Sequence, residues 1–232
     1  MITIFWAGDS TVRQNSLATW PQTGIGQVFD RFTKHIGVCI SNHAENGASA
    51  KCFINEGRLA AIEERLQPGD FLFVQFGHND EKDNDPNRYG SPDGEFQGLL
   101  MQFADAARRH GATPVFITPV TRRLRNDPSA SWHHDRWAEA VRRLGAEQGI
   151  AVIDLTAMSE ALVDSLSDEE SRSLYMNFAA GLYPVYPDGM TDNTHLRPDG
   201  ALRFGQLIAR SLLELGEPYA SLLDPEVLPL LR

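Results

Sequence analysis

Cysteine is nearly absent from this chain: Cys39 and Cys52 are the only two in 232 residues. That count excludes a disulfide-built scaffold. Cys39 lies in an apolar run and reads as a small buried hydrophobe. A Cys39–Cys52 bridge would be unusual in a reducing cytosol, and a metal site needs more ligands than this pair offers. Positive charge is also scarce. Lys and Arg total 21 against 31 Asp and Glu, a net charge of −10, which argues against a nucleic-acid partner. The densest basic group is only Arg122-Arg123-Leu124-Arg125. Long apolar runs are missing too: no window approaches the ~18 residues of a membrane helix. No basic segment precedes the first apolar run, which stops at Gly8-Asp9 instead of a small-residue cleavage site. The sequence as written therefore reads as cytoplasmic, although a chain with its leader already cleaved would read the same way. Repeats, low-complexity tracts and dividing linkers are absent as well. The expectation is a single domain over 1–232, with a core from about 2 to 215 and an extension over 217–232.

What the chain does have is an ordinary globular composition, 42% apolar and 22% charged, arranged as strand followed by helix. Five short apolar runs bounded by turn residues read as strands: 2–8, 38–40, 71–76, 114–118 and 150–155. Helical spacing occupies 24–36, 53–66, 95–110, 132–148, 157–178 in one or two pieces, and 198–215, where Pro198 suits a first helical position. The segments 81–94, 121–131 and 180–194 read as loops. Strands that are apolar throughout, alternating with helices, imply an α/β fold with a parallel sheet covered on both faces.

Chemistry-bearing residues recur where these strands end. Ser10 follows the first strand, Gly47 the second and Asn79 the third, while Asp192-Asn193-Thr194-His195 precedes the last helix. Right-handed crossovers bring all strand carboxyl ends to one sheet edge, where ligands bind. Taken alone, Gly8-Asp9-Ser10-Thr11 is simply good turn chemistry. Asp192 alone would cap a turn, and His195 alone would be a surface histidine. Together they match the needs of acyl transfer. Ser10 supplies a hydroxyl. His195 supplies an imidazole, a group that titrates near neutrality as a residue type. Asp192, three residues earlier, can orient that imidazole. Gly47 N–H and the Asn79 amide can meet a developing oxyanion.

These residues resemble a known family. Gly8-Asp9-Ser10-Thr11, Asn42-x-Ala44-x-x-Gly47, Gly77-x-Asn79-Asp80 and Asp192-x-x-His195 are similar to the four sequence blocks of the SGNH (GDSL-like) hydrolases. Glu56-Gly57-Arg58, Gly77-His78-Asn79-Asp80, Thr118-Pro119-Val120 and Gly200-Ala201 resemble the rhamnogalacturonan acetylesterase branch. The resemblance implies a flavodoxin-like three-layer αβα sandwich on a five-stranded parallel sheet. It also implies ester hydrolysis through an acyl-serine intermediate, with no metal and no cofactor. Ser10 would be the nucleophile, His195 the base and Asp192 its partner, with the Ser10 N–H, Gly47 N–H and Asn79 side chain as oxyanion hole. One departure is Ala48, where members of the branch often carry a basic or hydroxyl residue.

An acetylated pectic oligosaccharide is the expected substrate. Acetylated xylan, or the lysophospholipid or thioester of a lipolytic relative, are the alternatives. Trp20, Tyr183 and Tyr186 are candidate sugar platforms and Arg197 a candidate contact; Arg13, Lys51 and Arg122 are further cations near the motif loops. His78 and His133-His134 have no carboxylate at ligand spacing and do not suggest a metal. The leucine-rich segment after Glu217 would pack on the domain or on a second copy in a homodimer.

Overall fold

A strand at the centre of a sheet must bury both faces, and the first strand of this chain does so by simple alternation. In the computed structural model, which describes residues 1–124 and 134–231, β1 spans Ile2–Gly8. Ile4 and Trp6 enter one core while Phe5 and Ala7 enter another on the opposite face. The chain continues through α1 (Ile25–Val28), β2 (Val38–Asn42), α2 (Ala50–Asn55), α3 (Arg58–Glu63), β3 (Phe71–Gln75), α4 (Glu95–Arg109) and β4 (Thr113–Ile117). It then forms α5 (Asp135–Gln148), β5 (Ala151–Ile153), α6 (Leu155–Ser165), α7 (Asp168–Ser173), β6 (Tyr175–Phe178), β7 (Met190–Leu196) and α8 (Pro198–Leu215).

Among the described residues the main sheet has the order β2-β1-β3-β4-β5, and every neighbouring pair is parallel. This is the flavodoxin-like doubly wound order. One face packs on α1 and α8 through Ile25, Phe204, Ile208 and Leu212. The other packs on α2 to α5 through Phe53, Ile62, Phe103 and Val141. Trp6 is fully buried and meets Phe29 and Phe73 edge-on at 5.1 and 5.4 Å between ring centroids. The result is a three-layer α/β fold.

Several sequence-based boundaries need correction. The expected helix over 53–66 is two helices, because Gly57 takes φ +74°, a conformation that ends α2 at no steric cost to glycine. The expected helix over 24–36 shrinks to α1 and a 3₁₀ turn, Phe29–Phe32, and Ile36 lies fully in solvent. The largest change is at 175–196. The tail of an expected helix is β6, and the end of an expected loop is β7. They pair as an antiparallel ribbon outside the main sheet, with a register irregularity between Tyr175 and Asn177. The start of the helix expected from Trp132, together with Arg125 and His133, lies outside the described residues.

The ribbon docks through backbone bonds to two separate segments, Thr23 N–H to Leu196 O and Arg123 N–H to Asn193 O, both at 2.9 Å, and Arg197 N–H to Leu174 O at 3.0 Å closes its end. The segment after α8 returns to the domain. Leu222, Leu223 and Leu231 join the α1/α8 core, and Lys34 N–H and Asp224 N–H bond across to Leu222 O and Phe32 O.

Candidate active site

Ser10 sits in the turn immediately after β1, 8% exposed. Asp9 shapes that turn. Its carbonyl accepts the amides of Val12 and Arg13 at 3.1 Å each, and its Oδ1 accepts the Thr11 amide and hydroxyl at 2.8 Å each. Its Oδ2 faces His78 Nδ1 at 3.3 Å. Burial works against the charge on Asp9, but His78 and Thr11 outweigh it and hold the carboxyl below its ordinary pKa. The Ser10 turn is thus built on a buried carboxylate.

The histidine arrives from β7. His195 Nε2 lies 3.0 Å from Ser10 Oγ, and His195 Nδ1 lies 2.6 Å from Asp192 Oδ2. A regular strand would send residues i and i+3 to opposite faces. Here the second oxygen of Asp192 accepts the amides of Thr194 and His195 at 2.8 and 3.0 Å. That local turn lies where the ribbon loses its regular register, as bulges do when they re-aim a side chain. Asn177 Nδ2 adds a bond to Asp192 O at 3.0 Å. Burial resists ionisation of Asp192, yet His195 and the two amides prevail and lower its pKa.

Ser10, Gly47 and Asn79 each carry an N–H group that the sequence reading assigns to an oxyanion hole. The backbone N–H groups of Ser10 and Gly47 have no protein acceptor among the described residues. Gly47 occupies φ +71° at the third position of the turn closed by Ala48 N–H to Glu45 O, which favours glycine. Asn79 donates one amide hydrogen to Ala48 O at 3.0 Å and accepts from Lys82 Nζ at 2.8 Å. Those two bonds fix which way the amide faces and leave its second N–H available. Asp80 ties the second and third strand ends together by accepting from Ala50 N–H at 2.8 Å and Gly77 N–H at 2.9 Å. Burial, with the negative charge of Asp9 added, pushes the Asp80 pKa up to about 8.

The GDSL-like lipase/acylhydrolase family matches residues 7–202. Over 219 residues the chain is 42% identical to the rhamnogalacturonan acetylesterase RhgT of Bacillus subtilis (strain 168), covering 94% of this chain and 92% of that one. It is 35% identical to the probable rhamnogalacturonan acetylesterase YesY of the same organism, over 93% and 94% of the two chains. The crystal structure of protein YxiM from Bacillus subtilis superimposes with a TM-score of 0.77 at 27% identity, covering 94% of this chain and 57% of that one. The chain belongs to the GDSL-like lipase/acylhydrolase family. Like that family, it is a carboxylic-ester hydrolase.

Around this acylhydrolase centre most of the remaining candidates are engaged with other protein groups. Arg13, Lys51 and Arg122 are each paired with a carboxylate: Glu45 at 2.7 Å, Glu95 at 2.8 Å and Glu81 at 2.7 Å. Arg197 donates to the Tyr183 hydroxyl at 3.1 Å and lies over its ring. Tyr183 and Tyr186 both pack edge-on against Phe178, and Tyr186 Oη donates to Thr19 O at 3.3 Å. This contact joins the β6–β7 connection to the segment bearing Trp20, which is 44% exposed. Ala48 is buried and offers the site its carbonyl alone. Sequence reasoning missed Lys82 and Arg88. Arg88 places its guanidinium 3.6 Å from where a Cβ on Gly47 would be, and the signal overlooked was two cations inside an otherwise acidic loop.

Proposed function

We propose that this chain removes O-acetyl groups from rhamnogalacturonan oligosaccharides through a Ser10–His195–Asp192 triad. The observation that carries the chemistry is the unbroken contact from Ser10 Oγ through His195 to Asp192, at 3.0 and 2.6 Å. The substrate class is supported by the 42% identity with RhgT over nearly the whole of both chains.

In this reading Ser10 Oγ attacks the acetyl carbonyl as its proton passes to His195 Nε2. The tetrahedral oxyanion is met by the Ser10 and Gly47 amides and by Asn79. Each such donor contributes about 3–4 kcal/mol of transition-state stabilisation in comparable enzymes. Collapse breaks the ester bond, and His195 returns the proton to the departing sugar hydroxyl. Water then attacks the acetyl-serine by the same route, releasing acetate and restoring Ser10. Asp192, held ionised, steadies the imidazolium formed in each half-reaction.

Acetate release from acetylated rhamnogalacturonan, xylan and chitin oligomers tests the reading, with Ser10→Ala as control. Rhamnogalacturonan should be the best substrate, and the variant should lose nearly all turnover. A p-nitrophenyl ester series with peak activity above about eight carbons would instead favour a lipolytic enzyme of the same family. The exposed Leu17, Leu182 and Val185 are the features that reading would use.

A further inference from the structure

The connection from β3 to α4, residues 81–94, reads from sequence as a solvated loop, yet it is braced along its length. Lys51 Nζ holds Pro86 O at 3.2 Å, Cys52 Sγ meets Asn87 O at 3.2 Å, and Trp137 Nε1 holds Gly90 O at 2.8 Å. Gly90 N–H closes on Asp80 O at 3.1 Å. A loop held this firmly positions what it carries, and it carries two cations to the two sides of the oxyanion hole. Lys82 Nζ is bonded to Asn79 Oδ1, and the Arg88 guanidinium lies against Gly47.

Charge is placed unusually here. Arg13, Lys51, Arg58 and Arg122 each have a glutamate partner. Among the described residues no carboxylate lies within 4.0 Å of Lys82 Nζ. Among the described residues Arg88 pairs only with Asp85, a half-exposed partner at 3.1 Å three residues away, and such surface pairs are weak. Burial lowers the proton affinity of Lys82, and the charges of Arg88 and Arg122 lower it further against the smaller opposing pull of Asp9 and Glu81. Two cations that repel each other therefore stand beside Asn79 and Gly47 in a chain with net charge −10. Perturbed charges of this kind cluster where a ligand is bound. The oxyanion does not account for them, since the proposed mechanism already assigns it three N–H donors.

We propose that Lys82 and Arg88 form a carboxylate subsite beside the oxyanion hole, which takes the uronate carboxylate of the sugar bearing or adjoining the acetyl ester. The proposal rests on the acetylesterase reading above. Arg88 offers a planar fork suited to two parallel bonds with a carboxylate, and Lys82 a compact point charge. The subsite makes the enzyme prefer acidic over neutral acetylated glycans, and it does so through substrate binding.

The test compares acetylated galacturonate-containing oligosaccharides with acetylated xylo-oligosaccharides, scoring acetate release by the wild type, Arg88→Gln and Arg88→Glu. Lys82 also holds Asn79, so the discriminating changes are made at Arg88. Arg88→Gln should raise KM on the acidic substrate about tenfold and lower the acidic-to-neutral ratio of kcat/KM to match, with Arg88→Glu stronger. Wild-type kcat/KM on the acidic substrate should fall between about 0.05 and 0.5 M NaCl while the neutral one stays flat. Equal fractional losses on both substrates, or no difference in salt dependence, overturn the subsite while leaving the acetylesterase reading intact. No acetate from either substrate overturns both.

Discussion

The two oxygens of Asp192 have separate duties, and that separation predicts what an isosteric change does. Oδ1 accepts two backbone amides and Oδ2 faces His195 Nδ1. An asparagine must keep its oxygen on the amides, which turns its NH₂ toward the imidazole. The ring proton is then displaced to Nε2, where it blocks acceptance from Ser10. Asp192→Asn should lower kcat roughly 10³–10⁴-fold with the fold unchanged by circular dichroism, less than the roughly 10⁶-fold loss expected for His195→Ala. A kcat within a few-fold of wild type would remove Asp192 from the mechanism. Ser10, Gly47 and Asn79 were readable as candidates because each lies in a short turn motif after a strand, and Asp192 and His195 by their i, i+3 spacing, although the strand that carries them was read as a loop. Lys82 and Arg88 were not, because a charge in a polar run reads as solvated unless the path of its backbone is known.

At the scale of elements, Asp80 is the tie between the ends of β2 and β3, through Ala50 and Gly77. Its pKa is raised from 3.8 to about 8 in the folded chain. Below that window both folded and unfolded states hold the proton, whereas inside it only the folded state does. The stability contributed by the group is therefore full at low pH and is lost as pH rises through the window. Asp80→Asn loses an acceptor and should be less stable at pH 5 by about 1–3 kcal/mol. The gap from wild type should narrow toward pH 8. Urea unfolding of both proteins at the two pH values measures this, and a gap that is constant or widens contradicts it.

Long periodic elements such as α4 and α8 were legible to within a residue or so. The ribbon was not. Met190-Thr191-Asp192-Asn193-Thr194-His195-Leu196 is poor in strand formers and becomes a strand through pairing with β6 and docking on distant segments. Gly57 was hidden differently, since the apolar spacing runs on across it while its backbone does not.

At the scale of the whole molecule, the parallel order and the two cores follow from β1 alternation and the strand–helix rhythm, so this level was the most legible. Leu222, Leu223 and Leu231 return to the α1/α8 core, one of the two placements that composition left open. This return also makes the last segment part of the same folding unit. The docking of the β6–β7 ribbon has one more consequence. Ser10 follows a strand of a sheet buried on both faces, but His195 belongs to a two-stranded element whose second strand is mostly half-buried, and such ribbons are marginal by themselves. Catalytic competence and structural integrity then reside in parts of unequal protection. Amide hydrogens of β7 should exchange faster than those of β1 and β3, and inactivation should precede loss of helical signal as urea is raised. Coincident curves and uniform protection would mean that ribbon and sheet open as one. Otherwise the enzyme can fall silent reversibly while its frame still stands.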